Sequence, residues 1–239
     1  MQINVELLLR KKCFNYDWRR AILSFLKYLI KNENPELYQE YYGAGKTKIK
    51  NYTYWAFLPG AVFEKDYISL TEDKIKVSLS SSDTKFLMSV YNGMIRFKGQ
   101  TYPLAKDNEM EIQSVKIKKV KEIEEEEIII NMLSPLVARC HYKDKPDRYY
   151  LFNEDGFDES IQQNMKTRFE NKTELPTLEP IKCKKVIVKA FDAVIPASMG
   201  VFRLKGDVSQ LNRLYLNGVG NKTGGGFGKF EIIGWQEVK

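Results

Sequence analysis

Several groups of residues in this chain have the types and spacing to act on an anion. The first is Gly218-Val-Gly220-Asn-Lys222-Thr-Gly224-Gly225-Gly226-Phe227-Gly228, which holds six of the fifteen glycines. Successive unhindered N–H groups can form a concavity that attracts anions. Lys222 and Lys229 add positive charge beside it. Small-nucleotide fingerprints fail. No glycine of this stretch precedes Lys-Ser or Lys-Thr, and a GxGxxG begun at Gly218 meets Thr223 at its last position. A long connector and an anion-binding loop both remain open on composition. The second group is Lys46, Lys48 and Lys50, set between Tyr41-Tyr42 and Tyr52-Thr-Tyr54-Trp55. Interleaved lysine and tyrosine suits phosphate contact with base stacking. Alternation puts Tyr52 and Tyr54 on one face, so one of the two aromatic sets is expected in the core. The third is Lys182, Lys184, Lys185 and Lys189, followed by Arg203 and Lys205. Lysines along a strand can track a phosphate backbone.

Other chemistries find little support. His141 is the only histidine and stands in Arg139-Cys-His-Tyr-Lys143. A lone imidazole can serve as a general base. Its simpler reading is a half-exposed strand residue beside the polar turn Lys143-Asp-Lys-Pro-Asp147. No Ser-His-Asp spacing stands out, and Glu124 to Glu127 is a run, not a spaced constellation. Cys13, Cys140 and Cys183 form no CxxC. A disulfide framework and a cysteine metal site are therefore not expected, and a reducing cytoplasm fits.

The elements that position these groups follow from pattern. Ile3 to Leu7 alternates as a strand. Asn15 or Asp17 caps a helix from Tyr16 to Lys31, ended at Asn34-Pro35. A helical turn covers Glu36 to Tyr41. Tyr52 to Leu58 is a strand, and Tyr67 to Leu70 with Ile75 to Leu79 is expected as a hairpin around Glu72-Asp73. Asp83 caps a helix through Met94, ended by Asn92-Gly93 or shortly after. Met110 to Val120 alternates again. This β-α-β-β-α-β order is the ferredoxin-like unit. The second half repeats it. A strand from Ile128 to Cys140 is broken at Ser134-Pro135, with a small arm at Tyr149 to Phe152. A helix follows from Asp155 or Asp158 to Asn171, then strands at Lys184 to Phe191 and Val201 to Leu204. Asp207 or Ser209 starts a helix to Leu216, and Phe230 to Trp235 closes the unit. The expectation is an α+β chain with domains at 1–123 and 124–239, divided in the charged run Lys116 to Glu127.

Composition bounds the partner. The 239 residues are 43% hydrophobic and 29% charged, with 14 Tyr and 13 Phe, which is a globular makeup. The net charge of +7 suggests a polyanion, with nucleic acid ahead of an anionic membrane surface. Met1 to Leu9 carries Glu6 and lacks a basic start, so it does not read as a signal peptide. Ile128 to Val137 is too short to span a bilayer. A cytoplasmic location without a membrane partner is expected.

The tail from Gly218 through Lys229-Phe-Glu-Ile-Ile233 resembles the C-terminal glycine-rich motif of the CRISPR repeat-processing endoribonucleases, in the repeat-associated mysterious protein superfamily. Leu133-Ser-Pro-Leu-Val137 resembles the Ser-Pro-(Ile/Leu)-Val that opens their second domain. The resemblance implies two tandem ferredoxin-like domains with a basic cleft between them. It implies binding of precursor CRISPR RNA and one cut per repeat, without metal or other cofactor. The ribose 2′-hydroxyl attacks the phosphate, giving a 2′,3′-cyclic phosphate and a 5′-hydroxyl. That reaction needs a base, an acid at the leaving oxygen and a cation on the phosphorane. The family's usual histidine falls near Tyr42 or Ala44 here, and its helix tyrosine falls at Lys27, with Tyr28 adjacent. Only its lysine matches, at Lys50.

The catalytic set implied is thus Lys50, Tyr42 and Lys27. The lysines would steady the phosphate, and Tyr42 or a lysine of shifted pKa would handle protons. The RNA-binding set is Lys46, Lys48, Lys184, Lys185, Arg203, Lys205, Gly220, Lys222, Gly224, Gly225, Gly226 and Lys229. The alternatives are a repeat-RNA-binding subunit of a CRISPR effector complex that cuts weakly or not at all, and a general RNA-binding module. The last lacks the aromatic pattern of the best-known ferredoxin-like RNA readers. A homodimer is also open.

Overall fold

Side chains of β1 (Gln2–Leu9) alternate, with Ile3, Val5, Leu7 and Leu9 all buried. This period of two fixes one face of the strand against the core. The structure, a computed structural model, describes residues 1–44, 49–142, 145–170 and 172–235. After a short β2 (Cys13–Asn15), the Asp17 carboxylate accepts the Arg20 N–H at 3.2 Å and starts α1 (Trp18–Glu33). Ile22, Phe25, Leu26, Leu29 and Ile30 bury one helical face. Asn34 then serves two helices. Its N–H closes α1 onto the Ile30 carbonyl, and its side chain accepts the Leu37 N–H to open α2 (Pro35–Tyr42). Pro35 suits this first turn because its missing N–H has no partner there anyway.

The unit continues through β3 (Tyr52–Phe57), β4 (Val62–Phe63), β5 (Tyr67–Ser69), β6 (Lys74–Ser81), α3 (Thr84–Phe97), β7 (Thr101–Leu104) and β8 (Asn108–Lys118). The main sheet has the order β3-β6-β1-β8-β7, and all its pairings are antiparallel. One expectation is corrected. No hairpin forms around Glu72-Asp73. Instead β5 joins β2 and β4 in a separate sheet, because Ile68 is buried opposite Phe14 and Phe63, while β6 fills the place between β3 and β1. Gly93 lies inside α3, which ends shortly after it at Phe97. A Cβ there would lie 3.2 Å from the Leu29 carbonyl oxygen and Cβ, so this glycine lets α3 approach α1.

The second unit runs β9 (Glu127–Met132), β10 (Ala138–Tyr142), β11 (Lys145–Tyr150), α4 (Phe157–Arg168), β12 (Thr177–Ala190), β13 (Ala193–Lys205), α5 (Val208–Asn217) and β14 (Phe230–Trp235). Its sheet order is β12-β13-β9-β14, which matches β3-β6-β1-β8 position for position. Each unit is therefore a ferredoxin-like α+β fold. The strand expected over Ile128 to Cys140 is two strands: β9 stays in the main sheet and β10 pairs with β11 as a separate hairpin. β12 and β13 are far longer than expected and meet at Phe191-Asp192, both with left-handed φ. The chain divides into Met1–Val120 and Lys121–Lys239, each with its own core. Among the described residues, no helix is long and apolar enough to cross a membrane.

Candidate active site and nucleic-acid interface

The C-terminal turn of α2 delivers two adjacent tyrosines to different surroundings. Tyr41 is fully buried, and its hydroxyl donates to Asp83, the N-cap of α3, at 2.5 Å. Tyr42 is half-buried, with its hydroxyl 2.7 Å from that of Tyr52. Lys50, two residues before β3, donates through its ammonium to the Tyr41 carbonyl. The same ammonium lies 4.9 Å from the centroid of the Tyr42 ring. Lys27, from α1, brings its own ammonium to 4.9 Å from that ring. The two lysines thus share one aromatic ring, although they come from different elements. Such cation–π contacts are each worth about 0.5–2 kcal/mol, enough to bias where the ammonium groups stand. A pair of held cations can neutralise charge that builds on a phosphorane.

Burial sorts the tyrosines of this group, and Tyr52 and Tyr54 are the set that alternation sends to the core. Burial, the dominant cause, raises the Tyr42 hydroxyl well above the usual phenol range, which suits it to donate a proton more than to accept one. Tyr52 and Tyr54 are fully buried, so neither can stack on a base. Tyr52 stacks instead on Phe86 at 4.4 Å, and Tyr54 donates to the Arg19 carbonyl at 2.8 Å. Lys46 and Lys48 lie outside the described residues.

The glycine stretch of the second unit is a packed bridge. Val219 N–H donates to the Gly228 carbonyl, and Gly228 N–H donates to the Pro135 carbonyl, both at 2.9 Å. Asn221 N–H reaches the Val137 carbonyl, and Lys229 N–H reaches the Ser134 hydroxyl, both at 2.8 Å. The two stretches that carry the family resemblance are therefore hydrogen-bonded to one another. Arg168 of α4 ties the loop from its other side, donating to the Gly220 carbonyl and the Thr223 hydroxyl. Phe227 is fully buried beside Val137, Ala190, Ile195 and Ala197.

Packing corrects part of the RNA-binding set. Gly220 and Gly226 are buried. A Cβ on Gly220 would meet Leu136 Cδ1 and the Val137 carbonyl at 2.6 Å, so its glycine identity serves close backbone approach within the fold. Lys229 is only 3% exposed, and burial pushes its ammonium down to about 7, so its side chain is not a surface cation. Gly224, Gly225 and Lys222 remain half-exposed.

On β12, Lys182, Lys184, Lys185 and Lys189 are all exposed, on the edge of the sheet. Strand alternation puts Lys182 and Lys184 on one face and Lys185 and Lys189 on the other. Lys205 is exposed on β13. Arg203 is already engaged within the sheet: its guanidinium pairs with Glu127 at 3.1 Å and Glu179 at 2.7 Å. Sequence reading misses that His141 and Arg139 both bond Asp147, because that grouping depends on how β10 and β11 pair.

Comparison with known proteins agrees with this architecture. Residues 116–232 match the family model for the C-terminal domain of CRISPR-associated protein Cas6. A CRISPR-associated endoribonuclease-like Cas6 protein of Pyrococcus furiosus is 29% identical, and the match covers 84% of this chain and 91% of that relative. A solved structure described as an RAMP protein binding different RNA substrates has a TM-score of 0.81 at 21% identity, covering 98% of this chain and 100% of the other. A Cas6-related protein from Pyrococcus furiosus also reaches 0.81, at 24% identity and 99% coverage of both chains. A Cas6 product complex reaches 0.69 at 17% identity, with 97% and 99% covered. At these identities the structural likeness speaks to the fold.

Proposed function

We propose that this chain, a Cas6-family protein by its C-terminal domain, binds CRISPR repeat RNA and cuts precursor CRISPR RNA within each repeat without a metal ion. The observation that supports cutting is the meeting of Lys27 and Lys50 on the Tyr42 ring. In this mechanism the 2′-hydroxyl beside the scissile phosphate is held in line, which supplies part of the rate. Its proton passes to solvent as the oxygen attacks phosphorus. The paired ammonium groups neutralise the phosphorane, and one of them protonates the departing 5′-oxygen. Tyr42 acts as the platform that places both lysines. The products are a 2′,3′-cyclic phosphate and a 5′-hydroxyl.

The test is incubation with cognate repeat RNA in EDTA, beside the same RNA carrying a 2′-deoxy sugar at the cut. Cutting in EDTA that vanishes with the deoxy substrate is the expected result. Cutting that requires magnesium, or that survives the deoxy sugar, sinks the mechanism. A second reading is a repeat-RNA-binding protein that does not cut. The burial that raises the Tyr42 hydroxyl, near where the family's histidine falls, favours it. Tight binding with no product in either arm selects it.

RNA binding itself is expected to use the exposed lysines of β12. For a single strand, the slope of log K against log salt falls by about 0.7 for each phosphate the protein stops neutralising. The double substitution Lys184→Gln, Lys185→Gln is therefore expected to reduce that slope by about 1.4. Arg203→Gln should leave it unchanged, since Glu127 and Glu179 already hold that charge. Binding isotherms at several salt concentrations check both, and an unchanged slope in the double variant removes these lysines from the interface.

A further inference from the structure

Tyr28 follows Lys27 on α1, but its ring turns to a different neighbourhood. It meets Phe97 and Tyr102 edge-on, both at 5.6 Å, and is left 42% exposed. Held in this way, it walls a groove of about 240 Å³ between α1 and α3. Asn32 and Glu33 of α1, Arg96 of α3 and Gln100 just beyond α3 supply the polar lining. The volume is below the roughly 300–1,000 Å³ of sites for drug-sized ligands, which suits a single planar group.

That lining is mostly acceptors. Asn32 Nδ2 donates to the Tyr28 carbonyl at 2.8 Å, and Gln100 Nε2 donates to the Arg96 carbonyl at 3.2 Å. Both amides turn their nitrogen to the backbone, which leaves the side-chain oxygen to accept. Glu33 lies deeper, with its side chain 11% exposed. Its Oε2 is 3.0 Å from Arg96 Nη1, close enough for charge attraction but out of line for a hydrogen bond. A shielded carboxylate oxygen that accepts no hydrogen bond is costly, and a donor that reaches it is rewarded. Arg96 is 75% exposed, so it can shift by a rotamer and keeps most of its N–H donors for a ligand. Lys31 of α1 and Lys98, the residue after α3, are exposed cations beside these residues in sequence.

An aromatic ring, a carboxylate and a guanidinium in one groove fit one nucleobase best. Guanine presents two adjacent donors, N1–H and the N2 amino group, and two adjacent acceptors, O6 and N7. A carboxylate accepts the first pair, and an arginine donates to the second. Adenine and cytosine turn a ring-nitrogen acceptor toward the carboxylate, and uracil offers it a single N–H. We propose that the α1–α3 groove is a nucleobase site that takes one unpaired guanine, stacked on Tyr28, with Glu33 on its N1–N2 edge and Arg96 on O6 and N7. Unpaired RNA bases are read by this combination of aromatic stacking and edge contacts. That the guanine belongs to RNA rests on the function proposed above; the preference for guanine does not. Lys27 is the preceding residue, so a base read here fixes the register of the strand at the Lys27–Tyr42–Lys50 group.

The test follows backbone amide NMR signals of the whole protein while GMP, AMP, CMP and UMP are added separately. All four carry the same phosphate, so differences report the base. GMP is expected to move the signals of Asn32, Gly93 and Gln100 saturably, and to bind about tenfold more tightly than the others, the scale of one bidentate base contact. Glu33→Gln should erase that preference, because an amide cannot accept both donors. Arg96→Ala, an exposed change, should weaken GMP about tenfold even if Glu33→Gln disturbs the fold. Tyr28→Ala should weaken all four about tenfold, and Tyr28→Phe should restore them. In a second arm, fluorescence anisotropy follows repeat RNA with the deoxy sugar at the cut. Each guanine is replaced in turn by inosine, which lacks only the N2 amino group. One position should lose about tenfold in affinity, as for one hydrogen bond to a charged group, and lose nothing against Glu33→Gln. Selective GMP binding without such a position, or without RNA binding, keeps the groove as a guanine site and overturns RNA as its source. Tight RNA binding with groove signals that GMP leaves unmoved, or that all four nucleotides move alike, overturns the site and keeps the RNA reading. Unmoved signals with no RNA binding overturn both.

Discussion

Lys50→Ala is expected to lower the single-turnover cutting rate in EDTA by about 10²- to 10³-fold, the loss typical of removing one donor aimed at transition-state charge. Affinity for repeat RNA should fall by less than about threefold. The asymmetry follows from how Lys50 is held. Its ammonium donates to the Tyr41 carbonyl and sits over the Tyr42 ring, so it is placed before substrate arrives. A preplaced cation gains most when negative charge grows on the phosphorane, whereas ground-state binding is shared among many surface lysines. Lys27→Ala should cost less, because Lys27 contacts the same ring without the carbonyl anchor. The double variant should lose less than the sum of the two, since both lysines answer one charge. Equal losses in rate and affinity for Lys50→Ala would make Lys50 a binding residue only.

Much of this arrangement can be read before any coordinates, where a local signal carries it. Asp17, Asp83 and Asp207 each accept an N–H of the first helical turn, and a short polar side chain before an apolar periodic run marks that role in sequence. The β-α-β-β-α-β order follows from those helices and from strands long enough to alternate. Strands of two to four residues, such as β2, β4 and β7, expose too few side chains to show a period. β13 is long, but Pro196 and Gly200 interrupt its pattern, so its first half is hidden. The candidate site divides the same way. The grouping of Lys27, Tyr42 and Lys50 follows from matching a family pattern position by position. The ion pairs of Arg203 do not, because Glu127 and Glu179 reach it from two other strands through sheet register. Glycine content signals a special backbone, but not whether water reaches it, and only packing buries Gly220, Gly226 and Lys229.

That difference makes Gly228→Ala the decisive substitution in the loop. It should destabilise the C-terminal unit by at least about 3 kcal/mol, combining left-handed strain of about 1–2 kcal/mol with a backbone clash and lost hydrogen bonds of about 1 kcal/mol each. Gly228 has φ of +70°, and a Cβ there would lie 1.9 Å from the Val219 carbonyl oxygen. The backbone cannot retreat cheaply. Gly228 bonds Val219 through its carbonyl and Pro135 through its N–H, and its neighbour Phe227 is fully buried. Gly99→Ala separates the two causes, because φ there is +82° but nothing lies within 4 Å of the added methyl. It should cost only the backbone strain. Native-state hydrogen exchange reads each unit by itself. Amides of β9 and β14 should exchange roughly a hundredfold faster in Gly228→Ala, with those of β1 unchanged as an internal control. If Gly228→Ala costs no more than Gly99→Ala, the loop is not a packed bridge, and its glycines return to being a surface for an RNA backbone. If the large loss appears, most of the glycine signature is a requirement of folding, and RNA contact from this stretch narrows to Lys222 and the half-exposed Gly224 and Gly225.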